Sequence, residues 1–100
     1  GVLIVDAKGA IVHDNAAHRE LWGGQVPQTD GLDDYDRWSG YNALTGEPLR
    51  VEDWAVTRAL LQGEVVRSEL IEGERFDGRG RRLFLNNAAP IRDAHGRLIG

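Results

Sequence analysis

Several groups of residues have the types that chemistry needs. His13, Asp14 and His18 bring two imidazoles and a carboxylate within one short span, the donors of a transition-metal site. They straddle a change of periodicity, so spacing does not fix their directions, and a solvated polar surface accounts for them more simply. Asp33-Asp34-Asp36 lacks the alternation and the glycine of a calcium loop and reads as a solvated turn. In Asn86-Asn87, strand alternation sends one side chain inward and one outward. The inward amide needs partners for its donor and its acceptor, from a ligand or from cross-strand backbone or water. Trp38 and Trp54 offer ring faces that could hold a planar ligand, and Trp54 serves equally as an apolar anchor for its helix. Arg75, Arg79, Arg81 and Arg82 gather at a hairpin tip, where they could grip an acidic partner but read first as a solvated turn.

Catalysis gets no support. There is no phosphate-cradling glycine loop, no serine elbow and no Cys–His pair, and Asp6 and Asp14 lie at hairpin ends where turn roles explain them. Cysteine is absent, which removes disulfides, zinc–thiolate sites and thiol nucleophiles. The net charge of −4 argues against a general nucleic-acid binder. No apolar run approaches the ~20 residues of a membrane span. With 41% hydrophobic and 28% charged residues, the 100-residue chain reads as one small globular domain, residues 1–100. It opens in a strand-like run without Met or a signal peptide, and is expected to be a fragment of a longer signalling protein.

The elements that must position these residues follow from pattern. Val2–Val5 is a continuous apolar run, expected as a strand buried on both faces. Asp6-Ala7-Lys8-Gly9 is a turn, and Ala10–His13 returns. Asn15 sits at a helix N-cap, and Gly23-Gly24 ends that helix. Residues 25–50 hold Pro27, Pro48 and several glycines, with Tyr35, Trp38 and Tyr41 interleaved. One or two short helical turns are expected there, folded back by the aromatics. Val51–Gln62 is the best helix, with Glu52 and Asp53 in its first turn and Gly63 as its stop. A long hairpin follows, with arms Val65–Phe76 and Arg82–Ile91. Asp93–Gly96 then reverses the chain, and Arg97–Gly100 starts a further strand. Strands before and after the helices suggest an antiparallel sheet with helices on one side, an α+β layout with room for a pocket between the layers.

This order, together with several local signatures, resembles a PAS domain, the small sensory module of bacterial signalling proteins. The resemblance rests on the opening hairpin Gly1–Val12; on Asn15-Ala16-Ala17 with Leu21 and Gly23; on Glu52-Asp53-Trp54 with Arg58-Ala59-Leu60 and Gly63-Glu64; and on Phe76-Asp77-Gly78 with Ala89-Pro90-Ile91-Arg92-Asp93-Ala94-His95-Gly96. It spans the whole chain. It implies a five-stranded antiparallel sheet in the order 2-1-5-4-3, with helices on one face and the fifth, central strand truncated.

The resemblance also implies a function. The domain would bind a small ligand, or mediate dimerisation, and pass a signal to a C-terminal output module, as in a bacterial sensor histidine kinase of a two-component system. The domain itself would not be an enzyme. The alternative is a ligand-free dimerisation module in a cyclic-di-GMP enzyme or a transcriptional regulator. Without cysteine, the cysteinyl-flavin and coumarate photoreceptor types are excluded. Haem is disfavoured because Val51–Gln62 has no His, and a non-covalent flavin remains open. The expected wall of the pocket is Trp54, Leu61 and either Arg58 or Val56 from the helix, with Ser68, Leu70, Leu85, Asn86 and Asn87 from the hairpin. The expected partners are a small molecule, a second copy and the output domain, with no nucleic acid and no membrane insertion by this fragment. The expected location is cytoplasmic, within a parent that could itself be membrane-anchored.

Overall fold

The computed structural model describes all 100 residues. The chain is an α+β fold. In order it forms β1 (Leu3–Val5), β2 (Ile11–Asp14), α1 (Ala16–Leu21), a 3₁₀ turn (Leu32–Arg37), β3 (Gly40–Asn42), a second 3₁₀ turn (Val51–Asp53), α2 (Ala55–Gln62), β4 (Val66–Glu74) and β5 (Arg81–Ala88).

The five strands make two antiparallel sheets rather than one, β1-β2 and β3-β4-β5. The expected single sheet is interrupted between β1 and β5. Leu98–Gly100 reaches that position but pairs only narrowly with the chain just before it. Ile99 N–H donates to the Ile91 carbonyl at 2.8 Å, Ile91 N–H donates to the Gly100 carbonyl at 2.7 Å, and Arg92 bridges Leu98. Gly100 lies tight against the Val5 carbonyl, where a side chain would collide, yet no hydrogen bond joins them. β1 therefore stays a two-stranded ribbon covered on one side. Val5 is buried, but Val2 and Ile4 are 51% and 38% exposed, so the run is not buried on both faces as its apolar pattern suggested.

Local chemistry sets the elements. The Asp6 carboxylate accepts the amides of Lys8 and Ala10 and closes the first turn. Asn15 caps α1 by accepting the His18 amide at 2.9 Å, and the same oxygen accepts the Val2 amide at 3.0 Å, tying the helix start to the hairpin. The expected helix over Val51–Gln62 is split. The Asp53 carboxylate accepts the Arg50 amide and holds a single 3₁₀ turn. Trp54 then takes an extended backbone, and α2 begins only at Ala55 and ends at Gly63, whose φ is 68°.

Residues 25–50 supply the expected helical turn and also β3, which sequence reading left out. β3 pairs with β4 through Gly40 opposite Gly73. A Cβ at Gly40 would sit 2.6 Å from the Trp54 ring, and one at Gly73 would sit 2.8 Å from the Trp22 ring. This glycine pair makes room for two tryptophans. The late hairpin is shorter than its apolar pattern. Phe76 leaves the ladder to donate its amide to the Trp22 carbonyl at 2.8 Å, and β5 ends at Ala88, shortly before Pro90, which has no amide to donate. β4 carries a bulge between Val66 and Glu69, where Ser68 has a φ of 54° and donates its amide to Asn87 Oδ1. The core is aromatic, with Trp22, Tyr35, Trp38 and Trp54 buried around Ile71.

Candidate ligand cavity

Four elements place this aromatic cluster. α1 ends at Leu21, so Trp22 follows His18 by one helical turn on the same face. The 3₁₀ turn brings in Tyr35 and Trp38, and the extended Trp54 inserts its ring ahead of α2. Trp22 stands edge-on to Trp38 at 4.9 Å between ring centroids and to Phe84 at 5.6 Å, and it lies 6.0 Å from Trp54. Trp38 donates its indole N–H to Thr29 Oγ1 at 3.0 Å.

Above this cluster, between the facing edges of β1 and β5, is a cavity of about 340 Å³. Eighteen of its 23 wall residues are hydrophobic, and no Asp, Glu, Lys or Arg side chain contributes to it. That is the size and the largely apolar character of a small-molecule site; the terminal residues Gly1 and Gly100 also lie on its wall. The ionisable side chains on the wall are His18 and Tyr35. Burial pulls the His18 pKa down, against the opposing pull of Asp14, and pushes the Tyr35 hydroxyl up. Both are neutral near pH 7. Three buried polar atoms of wall residues have no hydrogen-bond partner: Tyr35 Oη, Trp54 Nε1 and His18 Nδ1.

Of the expected wall residues, Trp54, Leu85, Asn86 and Asn87 line the cavity, as does Val56. The two asparagines divide as strand alternation requires. Asn86 is half-buried and makes no hydrogen bond within the chain, while Asn87 is exposed and holds the Ser68 bulge.

Arg58, Leu61, Ser68 and Leu70 are not on the wall, and each has a physical reason. Because α2 starts at Ala55, its inward face is Ala55, Val56, Ala59 and Leu60, which leaves Leu61 70% exposed. Arg58 turns instead to a polar cleft beside Arg50 and Asp53, where it pairs with Glu64 at 2.7 Å and also with Glu69. The bulge at Ser68 shifts the parity of β4, so Val66 and Ile71 are both buried although an odd number of steps separates them. Leu70 consequently pairs with Leu85 away from the core.

Sequence reasoning missed Trp22, His18, Tyr35 and Phe84 as wall residues. The i, i+4 spacing of His18 and Trp22 on α1 was the available signal. No three metal-binding side chains converge anywhere in the molecule. His13 is exposed on β2, and His18 Nδ1 lies 3.7 Å from Asp14 Oδ2, whose other oxygen accepts from Arg19 at 3.0 Å. The basic group at the hairpin tip is partly engaged within the chain. Arg75 pairs with Asp77 at 2.7 Å, and Arg81 lies 3.6 Å over the Tyr41 ring. No helix is long and apolar enough to cross a membrane. Compared with family models, curated proteins and solved structures, the chain matches none.

Proposed function

We propose that this chain is a sensory domain of the PAS type, in which a small molecule held in the cavity changes how β1, α2 and β5 pack against one another. The observation that carries the reading is the cavity of about 340 Å³, largely apolar and walled by the tryptophan cluster. Its wall is drawn from both sheets and from both helices. A molecule that fits one arrangement of those elements better than another shifts the population between them. The order of elements supports the same reading: a hairpin, helical segments, a long hairpin, and a last stretch entering between β1 and β5. In this reading the change is passed to an output module, such as a histidine kinase, and this domain performs no catalysis. The test has two parts. An absorption spectrum of the purified protein reveals a retained flavin or haem. A screen of small molecules by thermal shift reveals a colourless ligand. A colourless protein that no small molecule stabilises would sink the proposal.

A second reading is dimerisation. Leu83 is 58% exposed on the outward side of β5, and Leu85, which also reaches the cavity wall, is 59% exposed beside Leu70. Sedimentation analysis of the native chain and of Leu83→Lys decides it. A dimer that the lysine dissolves supports this reading, and a native monomer at all concentrations rejects it.

A further inference from the structure

We infer that the Asp30–Gly31 link is a site of spontaneous backbone isomerisation, and that this covalent mark loosens the anchor of Trp38 in the aromatic core. The chain contains two Asp–Gly links, Asp30–Gly31 and Asp77–Gly78. Both have the atoms for the reaction. The glycine amide nitrogen attacks the side-chain carbonyl carbon of a neutral aspartic acid. A C–N bond forms, and the carboxyl hydroxyl leaves with the amide proton as water, closing a succinimide ring. Glycine favours this because no side chain crowds its nitrogen. A second water opens the ring. Opening at one carbonyl restores aspartate, and opening at the other routes the backbone through the β-carbon as isoaspartate.

The fold treats the two links differently. At Asp77–Gly78 both reacting groups are held. The Asp77 carboxylate accepts from the Arg79 amide at 3.0 Å and from the Arg75 guanidinium at 2.7 Å. These hold its carboxyl below the usual range, so the neutral form that loses water is scarce. The Gly78 amide donates to the Arg75 carbonyl at 3.3 Å. At Asp30–Gly31 the restraints are absent. The Gly31 amide donates to no group in the chain. The Asp30 carboxylate is exposed and accepts only from the neutral Gln28 amide, at 3.1 and 3.4 Å.

Isoaspartate at position 30 adds one backbone carbon between two fixed points. Just before it, Thr29 accepts the Ile11 amide at its carbonyl, at 2.9 Å, and the Trp38 indole at its hydroxyl, at 3.0 Å. Just after it, Leu32 donates its amide to the Lys8 carbonyl at 3.0 Å. The Leu32 side chain also covers Gly9, where a Cβ would sit 2.7 Å from it. Leu32 opens the 3₁₀ turn that leads to Trp38. The Trp38–Thr29 bond therefore spans the altered link, and the added carbon displaces one end of it from the other.

The native 100-residue protein is aged in mildly acidic water enriched in oxygen-18, then digested with trypsin in ordinary water. Each ring opening leaves one heavy oxygen, and mass spectrometry of Glu20–Arg37 and Phe76–Arg79 reads the two links separately. The folded protein is expected to carry about tenfold more label at Asp30 than at Asp77. Glu20–Arg37 should also resolve into aspartate and isoaspartate forms. In guanidinium the two links should label alike. Gly31→Ala should suppress labelling at Asp30, and its Cβ would meet only the Lys8 carbonyl at 3.6 Å, an ordinary contact. In aged nitrogen-15-labelled protein, a second Trp38 indole resonance should grow in step with isoaspartate. Equal labelling of the two links in the folded protein, or none at Asp30, would overturn the site. A preference for Asp30 that persists in guanidinium would do the same, since the flanking residues rather than the fold would then set it. Isoaspartate accompanied by a single unmoved Trp38 resonance would overturn the effect on the core.

Discussion

His18 is the residue at which packing and protonation meet. Its ring lies 5.9 Å from that of Trp38, and it is buried on the cavity wall. The groups facing it are Asp14, Arg19 and the Gly1 amine. Burial lowers its pKa in the folded state below the ordinary value of 6.5. Below that value the unfolded chain takes up a proton that the folded chain resists, so stability is full above about pH 6.5 and falls as the pH drops further. The expected outcome is a melting temperature that declines between about pH 7 and about pH 5 in the native protein, and declines less in His18→Phe. Parallel profiles for the two proteins would remove His18 as the cause. The sequence marked His18 as a potential ligand but could not tell burial from coordination. That distinction depends on Trp38, twenty positions away, closing over it.

At the scale of elements, caps and turns were legible and parity was not. Asn15, Gly9, Gly63 and the Asp77–Gly80 turn act where their types placed them, because each acts through its own neighbouring backbone. The Asp77 carboxylate, for example, accepts the Arg79 amide, which together with Arg75 holds its pKa below the usual value. The bulge in β4 is different. Ser68 carries a positive φ with no glycine to announce it, and the cost is offset by its bond to Asn87. A β-branched residue fits that conformation badly. Ser68→Val is expected to lose roughly 1–2 kcal/mol, with Ser68→Gly staying within about 0.5 kcal/mol of native, in urea denaturation. If valine were tolerated as well as glycine, the bulge would not be a fixed feature of the strand. One undetected bulge was enough to misplace Ser68 and Leu70 as wall residues.

For the whole molecule, the separation of the two sheets is the governing feature. The β4–β5 ladder is long and is paired with β3 on its far side, whereas β1 pairs with β2 alone. A two-stranded ribbon is marginal by itself and depends on what it packs against. β1 and β2 are therefore expected to exchange their amide hydrogens at least about tenfold faster than the paired amides of β4 and β5. Filling the cavity should slow β1 more than β4. Uniform exchange across both sheets would show that the hairpin does not open on its own and would weaken any signalling role for it.

The α+β class, the two hairpins and the cap at Asn15 follow from short-range rules, so the chain's own order of residues determined them. The division into two sheets, the strand at Gly40–Asn42, the outward turn of Arg58 and Leu61, and the gathering of Trp22, Tyr35 and Trp38 around one hollow were decided only in three dimensions. Each depends on a bulge, on a broken helical phase at Trp54, or on a glycine pair yielding space to rings from distant segments. Such effects are set by which surfaces meet, and periodicity along the chain carries no record of them.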